Sequence, residues 1–292
     1  MKPKIQPVLT IQKILEREGT IACPGVFDTL SARISQQVGF PLGFISGYSV
    51  AATAIGEPDF GLLTQTEIVD RARRVCMSVE TPILVDADTG YGNPLNVHRT
   101  VNELIAAGAK GCFLEDQVWP KRCGHMKGKN VIEKELYLEK VRAAVDARGD
   151  RDFFIVTRTD SLAIHGMDEA ISRVTEARAI GANASFVEAP SSLEQLSEIG
   201  KRSPYPNVAN MIEGGRTPLL EKEELAELGF HLILYPLSGL FSIAHTMRRM
   251  FTKLRDEGTT KGAEDQLMTF AEFNELIGVE QKYELAERYK ID

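Results

Sequence analysis

The sequence predicts an α/β protein built as a closed barrel of eight parallel strands, the (β/α)8 or TIM-type architecture. Eight short apolar segments alternate with amphipathic segments along 292 residues, and no Pro/Ser/Gly-rich linker divides them. Such alternation is typical of parallel strands joined by crossover helices. Eight units in this length fit a closed barrel better than the alternative, an open doubly wound sheet with a second domain.

The candidate strands are short segments rich in Ile, Val, Leu and Phe, as expected for strands that are buried on both faces. They span Ile21–Phe27, Gly43–Ser46, Pro82–Asp86, Gly111–Glu115, Phe153–Arg158, Ser185–Glu188, Asn207–Asn210 and His231–Tyr235. Each is separated from the next by enough residues for a crossover connection.

Helices are predicted between these strands, where apolar residues recur at helical spacing and charged residues occupy the opposite side. The clearest segments are Thr66–Ser78, Leu95–Ala107, Glu133–Ala147 and Asp168–Ile180. Gly108 and Gly181 directly follow two of them, where a helix C-cap is expected.

The chain beyond the eighth strand is longer than one barrel needs. Its pattern predicts one helix over Ser238–Asp256 and a second over Phe270–Tyr289. Five apolar residues recur at helical spacing in the first: Phe241, Met247, Met250, Phe251 and Leu254. We therefore expect one domain over residues 1–292, with a barrel core at about 18–255 and a helical extension at 256–292 that packs on a neighbouring subunit.

Composition and charge narrow the functional classes. Hydrophobic residues make up 43% of the chain and charged residues 26%, which is typical of a globular protein with a large core. Lys and Arg total 34 against 41 Asp and Glu, giving a formal charge of −7. An acidic surface repels phosphate backbones, so we do not expect nucleic acid as a partner.

The sequence also predicts a cytoplasmic location. No apolar stretch approaches membrane-spanning length, and the N-terminal segment lacks the apolar run and cleavage site of a signal peptide. The cysteines show neither a disulfide framework nor the CxxC spacing of a structural zinc site. Three of them lie in apolar strand or helix patterns and are interpreted as core residues: Cys23, Cys76 and Cys112.

Polar side chains follow the predicted strand ends, where a barrel carries its active site. In strand order from the second to the seventh, they are Ser46-Gly47-Tyr48, Asp86-Ala87-Asp88, Glu115, Arg158, Glu188 and Asn210. A single carboxylate in such a place is commonly a helix cap, and Asp88 is the one most open to that explanation. Acidic or amide groups at several consecutive strand ends instead favour a functional site.

The carboxylates predict a metal site. Asp86, Asp88 and Glu115 are expected to converge at the mouth of the barrel, together with Asp59 from the preceding GEPDFG loop. Several carboxylates share a dry pocket only when a cation offsets their charge or some stay protonated. Oxygen ligands favour a hard cation, so we expect Mg²⁺, with Mn²⁺ able to replace it. The histidines show no spacing typical of zinc ligands.

One loop carries a candidate for proton transfer. The segment Trp119–Lys129 places Cys123 among Lys121, Arg122 and His125, with glycines nearby. Neighbouring positive charge favours the thiolate, so the pattern predicts a lowered pKa for this thiol. We expect the loop to place Cys123 beside the substrate.

Together these segments resemble the isocitrate lyase and phosphoenolpyruvate mutase superfamily. The resemblance runs in order from about Pro24 to Lys261 and rests on SGYSVAA, DADTGYGN, EDQVWPKRCGH, TRTD, the glutamate of strand six and NMIEGG. The KRCGH segment is characteristic of the lyase branch. The resemblance implies a Mg²⁺-dependent barrel that makes or breaks a bond next to an α-keto acid. It also implies a homotetramer in which C-terminal helices are exchanged between the subunits of each dimer.

By position, the resemblance implies a role for each site residue. Asp86 and Asp88 match the metal-binding aspartates, with Asp59 and Glu115 close to the metal, partly through water. Cys123 matches the catalytic cysteine that acts as general acid, Arg158 supplies positive charge, and Tyr48 is a candidate base. The implied substrate contacts are Ser46, Gly47, Tyr48, Gly124, His125, Arg158, Glu188 and Asn210.

The segment after Asn210 bears on the substrate. Methylisocitrate lyases typically carry Thr-Glu-Phe-Gly there, whereas this chain continues from Asn210 as Met211-Ile212-Glu213-Gly214-Gly215-Arg216 and lacks the threonine. Loss of that hydroxyl removes a polar contact for a tricarboxylate, and the segment is more similar to the dimethylmalate lyases and the plant petal-death group. We therefore expect cleavage of a 2-alkylmalate such as 2,3-dimethylmalate to pyruvate and a carboxylate.

Several alternatives remain at this point. Methylisocitrate lyase, which yields pyruvate and succinate, is the first of them. An oxaloacetate hydrolase or decarboxylase shares nearly all the site residues. Mutases that form phosphonates generally lack the cysteine of KRCGH, and a barrel that binds keto acids without catalysis would not need the acidic cluster.

Overall fold

Eight parallel strands close into a barrel in the computed structural model, which describes residues 9–126 and 128–289. Each strand pairs with its neighbour in sequence, and the eighth pairs with the first. The strands are β1 (Ile21–Val26), β2 (Gly43–Ile45), β3 (Ile83–Asp86), β4 (Gly111–Glu115), β5 (Phe154–Thr159), β6 (Ala184–Val187), β7 (Asn207–Asn210) and β8 (Leu232–Tyr235). The predicted fold class is confirmed, and each strand boundary differs from its predicted position by no more than one residue.

Helices follow the strands and surround the barrel. They are α1 (Ile11–Glu18), α2 (Thr29–Val38), α3 (Gly47–Val50), α4 (Gln65–Ser78), α5 (Pro94–Ala106), α6 (Lys134–Arg148), α7 (Leu162–His165), α8 (Met167–Ile180), α9 (Leu193–Arg202), α10 (Lys222–Glu227), α11 (Ser238–Glu257), α12 (Phe270–Ile277) and α13 (Val279–Tyr289). Within the described ranges, no helix has the length and apolar character needed to cross a membrane. The prediction about a signal peptide falls partly on residues 1–8, which lie outside the described residues.

The interior of the barrel is apolar. The rings of Phe44 and Phe113 lie 4.8 Å apart, and those of Phe113 and Phe186 lie 5.9 Å apart in an edge-to-face arrangement. Edge-to-face and tilted contacts are favoured over a face-to-face stack by the ring quadrupoles. Ile14 and Leu15 of α1 belong to the same buried cluster. This core fills the barrel beneath the strand ends, so the polar residues that follow the strands lie above an apolar floor.

The N-cap residue of α5 is Asn93, not Asp88. The Asn93 side chain accepts from the Asn96 backbone N–H, the Asn96 side chain accepts from the Asn93 N–H, and Pro94 follows at the first helical position. This reciprocal arrangement meets the needs of the helix N-terminus. Asp88 therefore does not cap this helix.

The second C-terminal helix differs from its prediction. A single helix over Phe270–Tyr289 is wrong, because Gly278 adopts a left-handed conformation with φ of +78° and ends α12. Its N–H donates to the carbonyl oxygens of Asn274 and Glu275, as in a helix C-cap. The apolar periodicity continues across this glycine, so the sequence pattern does not indicate that the helix ends there.

The C-terminal helices expose a large apolar surface. Leu240 is the buried residue of the twenty-residue α11, whereas Phe241, Met247 and Phe251 are 40%, 48% and 59% exposed. Apolar residues are also exposed on α12, including Phe270 at 82%. Large exposed apolar patches mark interaction sites in globular proteins.

Gly111 provides a test of the packing between strands. A Cβ at this position would lie 2.2 Å from the Phe154 carbonyl oxygen on the paired strand, so backbone would have to move. We expect Gly111→Ala to lower the free energy of unfolding by about 1–3 kcal/mol, the usual cost of overpacking. The midpoint of urea unfolding measures this loss.

Gly239→Ala is the matched control for that substitution. A Cβ at Gly239 meets its nearest atoms at 3.6 and 3.8 Å, which is ordinary van der Waals contact. Because Gly239 lies in α11, this variant should unfold at the same or a slightly higher urea concentration than the unsubstituted protein. Equal midpoints for both variants would contradict the packing argument.

Candidate active site

A pocket opens at the carboxyl ends of the strands. Phe44, Phe113 and Phe186 contribute to its lining from the apolar floor. Most of the site residues that the sequence indicated also line it: Ser46, Tyr48, Asp59, Asp86, Cys123, Gly124, Arg158, Glu188 and Asn210. The remaining four, Gly47, Asp88, Glu115 and His125, lie behind this lining and contact its members.

The end of β2 lies directly against the first acidic residue. Ser46 is the N-cap of α3, and its hydroxyl accepts from the Ser49 N–H. The Gly47 N–H donates to Asp86 Oδ2 at 3.3 Å. A Cβ on Gly47 would lie 3.0 Å from that oxygen and 3.4 Å from Asp88 Oδ1, so a side chain there would crowd the space beside both carboxylates.

Asp88 is held in an unfavourable backbone conformation. Its φ is +48°, and its N–H donates to Asp86 Oδ1 at 3.1 Å. Left-handed conformations of residues other than glycine cost on the order of 1–3 kcal/mol and cluster at functional sites. The turn after β3 thus brings Asp86 and Asp88 side by side at the expense of local strain.

Lys121 neutralises part of the acidic cluster. Its ammonium lies 2.7 Å from Asp59 Oδ1 and 2.7 Å from Asp88 Oδ1, and all three side chains are buried. Burial raises the pKa of Asp88 to about 7 even with Lys121 beside it. In the sequence, Lys121 is recognisable only as a positive charge near Cys123. Buried carboxylates need a neighbouring cation, and this requirement is what indicates a contact between Lys121 and the acidic cluster.

The acidic cluster does not form a four-carboxylate cage. In the described residues, no three His, Cys, Asp or Glu side chains are grouped closely enough to hold an ion alone. Asp59 and Asp88 share Lys121, and Glu115 Oε2 lies 3.2 Å from Arg158 Nε.

Glu115 nevertheless has an unmet need for a donor or a cation. Its Oε1 is buried without a hydrogen-bond partner, and burial raises the pKa of Glu115 well above its usual value. Mg²⁺ binds through one or two carboxylates and keeps several waters. The residues therefore fit a hydrated Mg²⁺ next to Asp86 and Asp88, with water-mediated contact to Glu115.

Arg158 occupies the centre of the polar side of the pocket. Its Nε lies 2.9 Å from Asp160 Oδ2 and its Nη2 lies 3.7 Å from Glu188 Oε1, in addition to the contact with Glu115. Its guanidinium carbon lies 5.5 Å from the centre of the Phe186 ring. The guanidinium is therefore fixed in place by carboxylates around it and an aromatic ring.

Two buried acids behind Arg158 were not among the predicted site residues. Against the effect of burial, Arg158 and Lys129 hold the pKa of Asp160 down to about 2. Asp116 accepts from the Asp160 N–H at 2.8 Å and from Arg173 at 3.0 Å, and burial raises its pKa to about 6. Asp160 belongs to the TRTD segment, so the signal was present, but its partners were not evident from the sequence.

The environment of Cys123 corrects one prediction. Burial raises the pKa of this thiol to about 11, so the predicted lowering is wrong. The nearby cations act elsewhere, because Lys121 is paired with carboxylates and Arg122 lies 5.4 Å from the centre of the Phe60 ring. The Cys123 N–H donates to the Asp59 carbonyl oxygen at 3.2 Å. The thiol is therefore protonated at neutral pH.

The next two residues pack against the far side of the pocket. His125 Nδ1 accepts from the Arg216 N–H at 2.9 Å, which assigns the ring proton to Nε2, 3.4 Å from Glu188 Oε1. Burial lowers the pKa of His125, so the ring is neutral at neutral pH. Asn210 Nδ2 donates to the same Glu188 oxygen at 3.3 Å. A Cβ on Gly124 would lie 2.2 Å from that oxygen, so only glycine fits there.

The rest of the pocket wall is apolar. It is formed by Ile212, which follows β7, by Leu234 of β8, and by Pro236 and Leu237, which follow β8. Tyr48 also lines the pocket, and burial raises the pKa of its phenol. The pocket thus combines a charged part, which suits carboxylates, with an apolar part, which suits alkyl groups.

Sequence comparison places this site in a known family. The model of the phosphoenolpyruvate phosphomutase family matches residues 11–255. The chain is 48% identical over 282 residues to the petal death protein of Dianthus caryophyllus, covering 96% of this chain and 89% of that protein. It is 49% identical over 293 residues to the chloroplastic carboxyvinyl-carboxyphosphonate phosphorylmutase of Arabidopsis thaliana, covering 98% and 86%. It is 40% identical to the 2,3-dimethylmalate lyase of Eubacterium barkeri, covering 96% of each.

Solved structures agree with the sequence comparison. A crystal structure of 2,3-dimethylmalate lyase matches with a TM-score of 0.89 and 33% identity, covering 98% of this chain and 96% of that one. Oxaloacetate acetylhydrolase in complex with the inhibitor 3,3-difluorooxalacetate matches with a TM-score of 0.87 and 33% identity, covering 93% and 92%. The chain therefore belongs to the phosphoenolpyruvate phosphomutase family and is an enzyme of the lyases and mutases that form the isocitrate lyase/phosphoenolpyruvate mutase superfamily.

Proposed function

We propose that this enzyme is a Mg²⁺-dependent lyase that cleaves the C2–C3 bond of a 2-alkylmalate such as 2,3-dimethylmalate. The observation that carries the proposal is the apolar part of the pocket wall, where Ile212, Leu234 and Leu237 meet the charged part. An apolar wall accommodates alkyl substituents, whereas a third carboxylate placed against it would lose its hydration without gaining donors. Methylisocitrate, a tricarboxylate, is therefore the alternative substrate rather than the first choice.

The named relatives support this choice in part. The chain is 40% identical to a 2,3-dimethylmalate lyase, and 48% and 49% identical to the petal death protein and the phosphorylmutase. Because of the identity to the phosphorylmutase, the mutase reaction is the second candidate function. Moving phosphorus between oxygen and carbon of one substrate requires no proton at carbon, so it would leave the protonated thiol of Cys123 without a task.

The acidic cluster holds the metal in this proposal. Asp86 and Asp88 would hold Mg²⁺, and Asp59 and Glu115 would contribute to the same site, partly through water. A bound Mg²⁺ supplies a Lewis acid at which the hydroxyl of a 2-hydroxy acid has a lowered pKa. Mn²⁺ replaces it, because both ions accept carboxylate and water ligands.

The pocket's own donors hold the substrate. The Ser46 hydroxyl, with Gly47 beside it, binds the carboxylate next to the substrate hydroxyl, and the Arg158 guanidinium offsets negative charge that develops on the substrate. The Asn210 amide binds the second carboxylate, with Gly124 beside it and His125 behind it. Glu188 contacts Arg158, His125 and Asn210 and so keeps their donors oriented.

Two side chains move the protons. Tyr48 is the candidate base and acts as the phenolate, which a nearby Mg²⁺ would have to favour because burial raises the pKa of the phenol. Once the phenolate has taken the hydroxyl proton, the C2–C3 bond breaks and its electron pair remains on C3. Cys123 donates its thiol proton to C3. Dimethylmalate then yields pyruvate and propionate, and the proton from the hydroxyl replaces the one that the thiol gave. The pKa of about 11 keeps the thiol protonated for this step.

Organisation and location are part of the proposal. Residues 1–292 form one domain, with the barrel core at about 18–255 and the helical extension at 256–292. All four cysteines are free, which suits the reducing cytoplasm. The phosphorylmutase relative is named as chloroplastic, so a plastid is the alternative compartment.

A substrate panel tests the proposed reaction. 2,3-Dimethylmalate, methylisocitrate, isocitrate, oxaloacetate and phosphonopyruvate are each incubated with the enzyme and Mg²⁺, and pyruvate, glyoxylate, oxalate and phosphoenolpyruvate are measured separately. We expect the highest kcat/KM for pyruvate release from dimethylmalate, none after EDTA treatment, and recovery with Mg²⁺ or Mn²⁺. Asp86→Ala should stay inactive after Mg²⁺ is added. A higher kcat/KM for phosphonopyruvate, oxaloacetate or methylisocitrate would overturn the substrate assignment.

Cys123→Ser tests the proton donor. Serine keeps the shape but has a much higher pKa, so kcat should fall on the order of 10²–10⁴-fold, as for loss of a positioned general acid. Oxalate binding to the Mg²⁺-loaded enzyme, measured by calorimetry, should persist because Ser46 and Arg158 are unchanged. Cys76→Ser, on α4, is the matched control and should keep full turnover. Near-normal turnover of Cys123→Ser would remove the thiol from the mechanism.

The apolar surface of the C-terminal helices predicts the assembly. We propose a homotetramer of dimers that exchange C-terminal helices, since Met247 and Phe251 of α11 are 48% and 59% exposed on one protomer. Sedimentation at micromolar concentration should give a tetramer, and Phe251→Glu should dissociate it. Met77→Glu, at an 82% exposed position on α4, is the control and should leave it intact. A monomeric unsubstituted protein would refute the assembly.

A further inference from the structure

Lys129 is a buried cation that the proposed reaction does not use. Its side chain is 3% exposed, and its ammonium donates to the Gly124 carbonyl oxygen and to Asp160 Oδ1, both at 2.6 Å. Burying an ammonium is costly unless charged and hydrogen-bonding partners are well placed. This side chain has both kinds of partner, and one of them is the backbone of the residue that follows Cys123.

We propose that Lys129 is a positioning residue that fixes the Cys123-Gly124 segment against the end of β5 and so sets the place of the thiol in the pocket. The inference rests on the proposed function only in giving the thiol its task as proton donor.

The segment is fixed on both sides of the thiol. Before Cys123, the Gln117 side chain donates to the Arg122 carbonyl oxygen at 2.8 Å and accepts from the Arg122 N–H at 3.0 Å. After it, Lys129 holds the Gly124 carbonyl oxygen. Gly124 has no side chain that could form a contact, so the segment is held there through a backbone carbonyl oxygen. Because hydrogen bonds to charged groups are stronger than neutral ones, the ammonium is the more effective of the two anchors.

The same anchor also orients Arg158. Asp160 Oδ1 accepts from Lys129 and, at 3.3 Å, from Arg158 Nη2, while its Oδ2 accepts from Arg158 Nε at 2.9 Å. Asp160 is itself held through its N–H by Asp116. One carboxylate therefore sets the position of the guanidinium and, through Lys129, the position of the thiol. The guanidinium and the thiol, which come from different elements, therefore both depend on the Asp160 carboxylate for their positions.

Thiol alkylation tests this role without any substrate. Lys129→Met removes the ammonium and keeps the length of the side chain. We expect iodoacetamide to modify Cys123 on the order of 10–100 times faster in this variant, in line with the loss of a hydrogen bond to a charged group. The rate is followed at each cysteine by peptide mass spectrometry at pH 7.5, with kcat/KM for the best substrate of the panel measured alongside. That kcat/KM should fall by a similar factor.

The other cysteines distinguish positioning from loss of the fold. Cys23 and Cys112 are 0% and 1% exposed in the barrel, so they react only when the protein unfolds. They should stay unmodified in Lys129→Met. Lys134→Met is the matched control, because Lys134 pairs with Glu176 on outer helices, and it should change neither the Cys123 rate nor kcat/KM.

The outcomes separate this inference from the proposed function. An unchanged alkylation rate at Cys123 would overturn the positioning role, and simultaneous modification of Cys23 and Cys112 would overturn it in favour of a structural role. Failure of the unsubstituted enzyme to cleave any member of the panel would overturn the proposed function alone, since the alkylation rates are measured without substrate.

Discussion

The charge balance at the mouth of the barrel is the constraint on which the site depends. Six carboxylates meet there in the part of the chain that the structure describes, and they are Asp59, Asp86, Asp88, Glu115, Asp160 and Glu188. Three cationic side chains, Lys121, Lys129 and Arg158, lie among them. Buried like charges are tolerated only when protons or cations offset them. Burial raises the pKa of Asp88 to about 7 and that of Glu115 well above its usual value, so these two carboxyls favour a proton or a further cation even with the three cations in place.

The same charge balance explains how the loop that carries Cys123 is held against the site. Two of the three cations, Lys121 and Lys129, come from this loop, and each is bound to carboxylates from elsewhere in the barrel. The loop is therefore attached to the site by the charges that it neutralises. Burial that accompanies this attachment also raises the pKa of Cys123. A thiol that must give up a proton to carbon gains from such burial, whereas a nucleophilic thiolate would not.

The sequence predicted the framework well and the electrostatics poorly, for physical reasons. Strand positions were predictable because segments buried on both faces have a local apolar signature, and clustering of polar residues at their ends follows from parallel topology. Gly278 was missed because apolar periodicity continues across it. Lys121 and Asp160 were missed as site residues because their partners, Asp59 and Lys129, depend on the path of a loop. The pKa of Cys123 was mispredicted because its neighbours in sequence are paired with other groups in space.

Charge also bears on the choice among substrates. A dicarboxylate brings two negative charges into a pocket that already has more carboxylates than cations, and in the proposed complex those charges would be met by the metal, Arg158, the Ser46 hydroxyl and the Asn210 amide. A third carboxylate would face Ile212 and Leu237, which offer neither charge nor hydrogen bonds. The free-energy cost of an uncompensated charge in such surroundings is larger than the stabilisation from dispersion contacts of its carbon chain. In the proposed function, the apolar wall therefore disfavours a tricarboxylate because it offers no donors to the third acid, and it favours a substrate with alkyl groups at that position.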